Sequence, residues 1–218
     1  MKLSIIIPTI GRKTLARALD SITDTGMACQ VVVVSDGADA ERIVSESDCP
    51  AAPRRRKGDG WKTRYFYYRL PERHHHWGCA ARTAGIEIAT GTHLMFLDDD
   101  DWYREHALGD VAAVVEEYPD QPLMFRVEMP YLGQIIWGEP VVREGNVSSQ
   151  MFVVPNDPDR LGRWTRRYKG DYDFIMSTLA KWPPDSLVWR EEVIAVWGRR
   201  GPLPSPDPLP GPHVRLES

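Results

Sequence analysis

The chain has 218 residues, and Lys+Arg 27 against Asp+Glu 31 leave a formal charge of −4. Hydrophobic residues make up 42% and charged residues 27%, a globular balance that excludes a mainly disordered chain and a wholly basic nucleic-acid protein. No apolar run approaches the roughly 20 residues that cross a bilayer, and Pro8 comes too early for a secretory leader, so a cytoplasmic protein without a membrane span is expected. The three cysteines, Cys29, Cys49 and Cys79, form no CxxC pair, which excludes a zinc ribbon and fits reduced thiols.

Leu3–Ile7 reads as a buried strand, rich in β-branched residues and stopped by Pro8. Thr14 is placed to cap a helix carrying Leu15, Leu19 and Ile22 at helical spacing. Val31–Val34 is a second continuous apolar strand, so the opening is a βαβ unit with a parallel pair. Residues 48–60, with two prolines, three arginines and two glycines, read as a loop. Arg64–Leu70 reads as a strand, 78–90 as a helix stopped by Gly91, and His93–Leu97 as a strand running into four aspartates. A helix over 105–118 ends at Pro119 and Pro122. Strands are expected at Leu123–Met129, Ile135–Trp137 and Met151–Val154, a short helix at Tyr172–Leu179, and edge strands at Val188–Trp189 and Val193–Trp197. Prolines at every second position from 202 to 212 exclude helix and central strand there. The expected class is α/β, with a single domain over residues 1–200 (halves 1–101 and 102–200) followed by a Pro-rich tail, 201–218.

In an open α/β sheet, ligands sit beyond the carboxyl ends of the strands. Three strands here end in polar groups: Pro8-Thr9, Ser35-Asp36-Gly37 and Asp98 to Asp101. Four adjacent carboxylates repel one another, and a divalent cation relieves that; Mg²⁺ or Mn²⁺ prefers oxygen ligands and leaves positions for substrate phosphates. Asp36 accepts hydrogen bonds, either from a nucleoside or within an Asx-type turn. Neither GxGxxG after the first strand nor GxxxxGK[ST] occurs, so phosphate binding is left to metal and basic side chains.

The run Ser4-Ile5-Ile6-Ile7-Pro8-Thr9, then Gly11-Arg12, Leu15 and Leu19-Asp20-Ser21-Ile22, resembles the start of a family 2 glycosyltransferase of GT-A fold. Val32–Ser35 with Asp36-Gly37-Ala38-Asp39, the helix from Gly78 through Arg82 to Gly91, and Leu94–Leu97 with Asp98 to Asp101 resemble that family's nucleotide-binding strand end, helix and DxD region. The likeness is dense over residues 3–118, and Thr83 stands where the family commonly has Asn. The resemblance implies a Rossmann-like nucleotide-binding half with a mixed central sheet and a strand-rich acceptor half. It implies metal-dependent transfer of a sugar, with inversion, from a nucleotide-diphospho-sugar, usually UDP-linked. Pro8, Thr9 and Asp36 would contact the base, with Arg12, Gly37 and Asp39 in the same nucleotide-binding set. Arg82 would approach the diphosphate or ribose. Asp100 is favoured as the Mn²⁺ or Mg²⁺ ligand with Asp98 as the other DxD aspartate, and Asp98 or Asp99 on ribose and sugar. Gly170-Asp171-Tyr172-Asp173-Phe174 resembles the family's late acidic motif, so Asp171 aligns with the base and Asp173 stands in reserve; a helix N-cap is the plain alternative for Asp171.

Arg54, Arg55, Arg56 and Lys57, among Trp61 and Tyr65–Tyr68, interleave basic and aromatic residues as a nucleic-acid track does. Arg163, Trp164, Arg166, Arg167, Tyr168 and Lys169 repeat the theme before Asp171. A nucleic-acid acceptor, such as a hydroxylated base in phage-type modified DNA, is therefore one expectation; a solvated basic loop beside core aromatics is the other. Trp137 and Trp164 suit either a sugar platform or the core. His74-His75-His76 suits a substrate-contacting loop more than a metal cluster. A non-catalytic nucleotide-sugar or nucleic-acid binding module and a nucleotidyltransferase are the competing functions.

Overall fold

The computed structural model describes residues 2–23, 25–37 and 63–198. Asp39, Cys49, Arg54, Arg55, Arg56, Lys57, Trp61 and the Pro-rich tail lie outside them.

The first four strands build a parallel block. They are β1 (Lys2–Thr9), β2 (Ala28–Ser35), β3 (Arg64–Arg69) and β4 (His93–Phe96), in the spatial order β3-β2-β1-β4. Ile5 to Ile7 and Val31 to Val34 are at most 1% exposed, because strands covered on both faces need apolar residues at every position. The sheet continues through β8 (Phe152–Pro155), β6 (Leu123–Met129), β9 (Val188–Val196) and β5 (Trp102–Tyr103). The strand β7 (Gln134–Ile136) pairs with β6. In this half the pairing is mixed: β8 is antiparallel to β4 and β6, β9 is parallel to β6, and β5 is antiparallel to β9.

Among the described residues, four α-helices flank the sheet: α1 (Leu15–Asp20), α2 (Cys79–Ile88), α3 (Ala107–Glu117) and α4 (Gly170–Leu179). α2 packs on β1 and β2. A Cβ at Gly85 would overlap Ile6 Cγ2, so the helix approaches the strand as closely as it does because this residue has no side chain. Gly85→Ala therefore forces helix and strand apart. It is expected to destabilise by about 1–3 kcal/mol, despite the better helix propensity of alanine, in a denaturant titration.

Several boundaries differ from the expectations. Thr14 is no side-chain cap: its backbone is already helical (φ −69, ψ −19), which turns the hydroxyl away from the first-turn N–H groups. Gly91 does not stop α2, which ends at Ile88 with Ala89 as its extended C-cap. Gly91 instead presses against β1, where a Cβ would lie 2.7 Å from Lys2 O and Ser4 N, and its N–H donates to Ser4 Oγ at 2.9 Å. The two expected edge strands near the C-terminus are one strand, β9, held between β6 and β5. α4 begins at Gly170 rather than Tyr172, which puts Asp171 inside the first turn instead of at the cap.

Candidate active site

Parallel pairing brings the C-terminal ends of β1, β2 and β4 to one edge. The Asp36 N–H donates to Thr9 O at 2.9 Å, and Leu97 N–H to Ile6 O at 3.1 Å, so the ladder runs to the polar residues themselves. Beyond this edge lies a cavity of about 620 Å³. Pro8, Thr9, Arg12 and Asp36 line it on the β1 and β2 side, and Arg82, Asp98, Asp99 and Asp100 on the β4 side. Gln150 and Asp171 close it from the second half of the chain. Two stretches that are far apart in sequence thus share one cleft.

The aspartate run divides by task. Asp99 is buried, with Thr9 Oγ1 donating to its Oδ2 at 2.6 Å and Arg12 Nη1 to its Oδ1 at 2.5 Å. It locks the end of β1 to the loop after β4. Asp98 pairs with Arg82 and receives Gln150 Nε2 at 3.0 Å. Asp101 is buried; it accepts Gly198 N–H at 2.8 Å and the same Gln150 Nε2 at 2.6 Å. Asp98, Asp100 and Asp101 each offer an oxygen within 4.8 Å of the others.

Burial, and then the charge of Asp98, push the Asp100 and Asp101 carboxyls above the usual carboxylate range. Three hard oxygen donors that repel one another in a partly dry site suit Mg²⁺ or Mn²⁺. Asp101 lies in the same group as the expected pair Asp98 and Asp100.

Arg82 is buried on α2. Its Nη1 donates to Trp77 O at 2.8 Å, its Nη2 pairs with Asp98, and its Nε is buried with no partner among the described residues. The guanidinium lies 4.7 Å from the Trp164 ring centroid, and Trp164 stacks on Phe174 of α4 at 4.6 Å. Gly78 gives the guanidinium room: its φ is +75, and a Cβ there would lie 2.8 Å from Arg82 Nη1. Trp164 is therefore the backing of Arg82 more than an open platform. Trp137 is core, 5% exposed and edge-on to Trp189.

Asp36 accepts the backbone N–H of His74 at 2.7 Å and of His75 at 3.1 Å. The histidine run acts through its backbone here, with His75 and Trp77 both at positive φ, 55 and 51. Among the described residues, none of these histidines joins a three-residue metal group. Gly37 follows at the β2 end beside Arg73. Thr83 bonds back to Cys79 O at 3.0 Å within its own helix.

The two late carboxylates part company. Asp171 lines the cavity and accepts Tyr172 N–H at 2.8 Å. Burial raises its pKa, and the nearby charge of Asp98 acts the same way; Arg82 and the Tyr172 N–H oppose it. Asp173 is not among the cavity-lining residues. Thr165 and Arg167 hold it, the latter through Nε at 2.9 Å and Nη2 at 2.5 Å, and the Arg167 bond is the first cause of its lowered pKa. One carboxylate thus lies in the cavity with its pKa raised, and its neighbour lies outside it, paired with Arg167 and Thr165.

Gln150 and the participation of Asp101 were missed in the sequence. A lone Gln in an ordinary Ser-Ser-Gln-Met run carries no signal, and Asp101 belongs to the acidic run but stands outside the DxD pair Asp98 and Asp100 that the resemblance assigns.

The sequence matches the profile of glycosyl transferase family 2 over residues 4–133. No curated protein matches it in sequence. Among solved structures, S. aureus TarS residues 1–349 superposes with TM-score 0.67 at 18% identity, covering 90% of this chain and 60% of that one. The same fragment with UDP-GlcNAc gives TM-score 0.64 at 18% identity, covering 93% and 60%. With UDP it gives 0.60 at 16% identity, covering 90% and 60%. The fold is the mixed α/β GT-A type, and the chain spans about 60% of the length of these TarS fragments.

Proposed function

The chain belongs to glycosyl transferase family 2, and from that premise we propose that it transfers a sugar, with inversion, from a UDP-linked donor to an acceptor hydroxyl, with Mn²⁺ or Mg²⁺ bound. The observation that carries this is the single cleft lined on one wall by Asp98 and Asp100, with the buried Asp101 within 4.8 Å of both, and closed on another by Asp171. The UDP-linked donor is supported by the TarS complexes with UDP and UDP-GlcNAc.

Pro8, Thr9, Asp36 and Gly37 form the base end, where Asp36 accepts a nucleobase N–H in addition to the two backbone bonds that fix it. Arg82 lines the cavity beside the aspartates and is assigned to the diphosphate, where its charge offsets the negative charge that builds as the glycosyl–phosphate bond breaks. Asp98, Asp100 and Asp101 would hold the cation, which supplies Lewis-acid stabilisation to the departing diphosphate. Asp171 takes the proton of the acceptor hydroxyl as the new bond forms on the opposite face of the sugar.

The acceptor is proposed to be a nucleic acid. Arg54, Arg55, Arg56 and Lys57 lie outside the described residues, so this rests on the second basic run. Arg163, Arg166, Arg167, Tyr168 and Lys169 are all exposed. Arg167, Tyr168 and Lys169 line the cavity next to Asp171, and Tyr168 meets the exposed Trp77 ring edge-on at 4.9 Å. Arg167 and Lys169 are paired with Asp173 and Glu144, so Arg163 and Arg166 are the cations of this run left to follow phosphates, and the aromatic rings can stack bases. The local run has its own field, whatever the net charge of −4.

The test is release of nucleoside diphosphate from UDP-, GDP- and dTDP-sugars with Mn²⁺, with and without hydroxymethylated DNA. Mn²⁺-dependent release from one donor, stimulated by the DNA, is the expected result. Release of pyrophosphate from a nucleoside triphosphate supplied with a sugar phosphate, and no nucleoside diphosphate from the sugar nucleotides, would identify a nucleotidyltransferase instead, and donor binding with no release on any acceptor would favour a binding module. DNA affinity is expected to fall by at least tenfold between 50 and 200 mM salt, on the order of that for a few phosphate contacts. A salt-independent affinity would remove this acceptor class.

A further inference from the structure

We propose that Gln150 is a positioning residue that sets the orientation of Asp98, and through it the cation affinity of the acidic cluster. The proposal rests on the metal reading above.

The reason Gln150 reaches this site is topological. β8 runs antiparallel to β4 with Leu94 opposite Val154, so the start of β8 lies beside the end of β4. Gln150 stands on the 3-10 turn Ser149–Met151 that leads into β8, and the aspartates follow β4 directly. Residues about 50 positions apart therefore meet at one point.

The chemistry is specific. The side-chain amide of Gln150 has two hydrogens on Nε2, and each has a carboxylate: Asp98 Oδ2 at 3.0 Å and Asp101 Oδ2 at 2.6 Å. The amide is oriented by its surroundings, because turning Oε1 toward two carboxylates would set acceptor against acceptor. Gln150 is 8% exposed, and its Oε1 is buried with no partner among the described residues. A buried amide that leaves its oxygen unpaired in order to donate twice is committed to the two acids.

Asp101 is the fixed end of this bridge. It is 1% exposed, and Gly198 N–H holds its other oxygen at 2.8 Å. Asp98 is the adjustable end. Arg82 holds its Oδ1 from the α2 side and Gln150 holds its Oδ2 from the β8 side. Without Gln150, Asp98 is left to follow Arg82 alone, and the three oxygens lose their common focus. Groups that orient ligands in this way typically change metal affinity by about 10–100-fold when removed.

The test is Mn²⁺ binding to the full chain, without donor or acceptor, read as loss of the free-ion EPR signal. Gln150→Met keeps the length and bulk of the side chain and deletes the amide; Gln150→Ala is the second variant, should the thioether disturb the fold. Near-UV circular dichroism reports whether each variant is folded. The folded variants are expected to bind Mn²⁺ at least about tenfold more weakly than wild type. In turnover assays the Mn²⁺ concentration for half-maximal rate should rise by the same factor, while the rate at saturating Mn²⁺ stays within a few-fold. Wild-type Mn²⁺ affinity in a folded Gln150→Met chain would overturn the role of Gln150 and leave the metal reading intact. No Mn²⁺ binding by the wild-type chain would overturn the metal reading, and this proposal with it.

Discussion

Asp171→Asn is expected to lower turnover by about 10²–10⁴-fold, the range a general base supplies, while donor affinity stays near wild type. The side chain keeps its shape and its bond from Tyr172 N–H, but it no longer accepts a proton. The wild-type pH profile should carry the signature of the same group. Burial and the charge of Asp98 raise the Asp171 pKa, and the carboxylate is the active form. Activity should therefore fall on the acid side at a higher pH than for an ordinary carboxylate, and the acid limb should be lost in the variant.

Stability gives an independent reading of Asp171. A carboxyl with a raised folded-state pKa binds its proton more tightly when folded than when unfolded. It therefore lowers stability as pH rises from the ordinary carboxylate range through the raised value. Asp171→Asn removes that cost, so its melting temperature at neutral pH should equal or exceed wild type. A variant that loses activity only because it melts earlier would refute the base assignment. Asp173→Asn is the companion: it breaks the Arg167 pair and should cost stability, but leave transfer within a few-fold. Loss of transfer in Asp173→Asn alone would move the base by two residues.

Asp100→Ala is expected to abolish Mn²⁺-dependent nucleoside diphosphate release, by about 10³-fold or more if the cation supplies several kcal/mol to the leaving group. Asp100 is the member of the cluster with the fewest internal obligations. Asp98 is tied to Arg82 and Gln150, and Asp101 to Gly198 and Gln150, whereas the Asp100 carboxylate, among the described residues, has the one contact to Arg12 at 3.4 Å. Its removal should leave the fold intact and, without metal, relieve repulsion within the acidic run. Wild-type activity in this variant would sink the metal assignment. Comparing Asp100→Ala with wild type in excess chelator separates loss of metal from loss of a carboxylate needed for another reason.

The donor side of the site was largely legible because it is written in contiguous runs. A buried parallel strand must be apolar along its length, so Leu3–Ile7 and Val31–Val34 announce themselves, and the polar residues that follow are marked as strand ends. Pro8, Thr9, Asp36, Arg82, Asp98 and Asp100 all line the cavity. The second half of the chain was less legible. β9 looked like two pieces because Arg190, Glu191 and Glu192 interrupt its apolar pattern, yet backbone pairing to β6 carries the strand through them with shifts in register. β5 is only two residues long and had no pattern to read.

The amino-acid sequence determined the parallel core, the three polar strand ends, the family and the identity of the residues that carry charge. These follow from local periodicity and from residue type, which need no knowledge of distant neighbours. Only the tertiary structure decided how the carboxylates divide their tasks. Asp99 became a buried tie because Thr9 and Arg12 reach it, Asp173 became a salt-bridge partner because Arg167 does, and Asp171 stayed in the cleft. Gln150 entered the site because β8 folds back beside β4. A carboxylate's role depends on which donors surround it and how much water remains, and both are set by contacts between segments far apart in the chain.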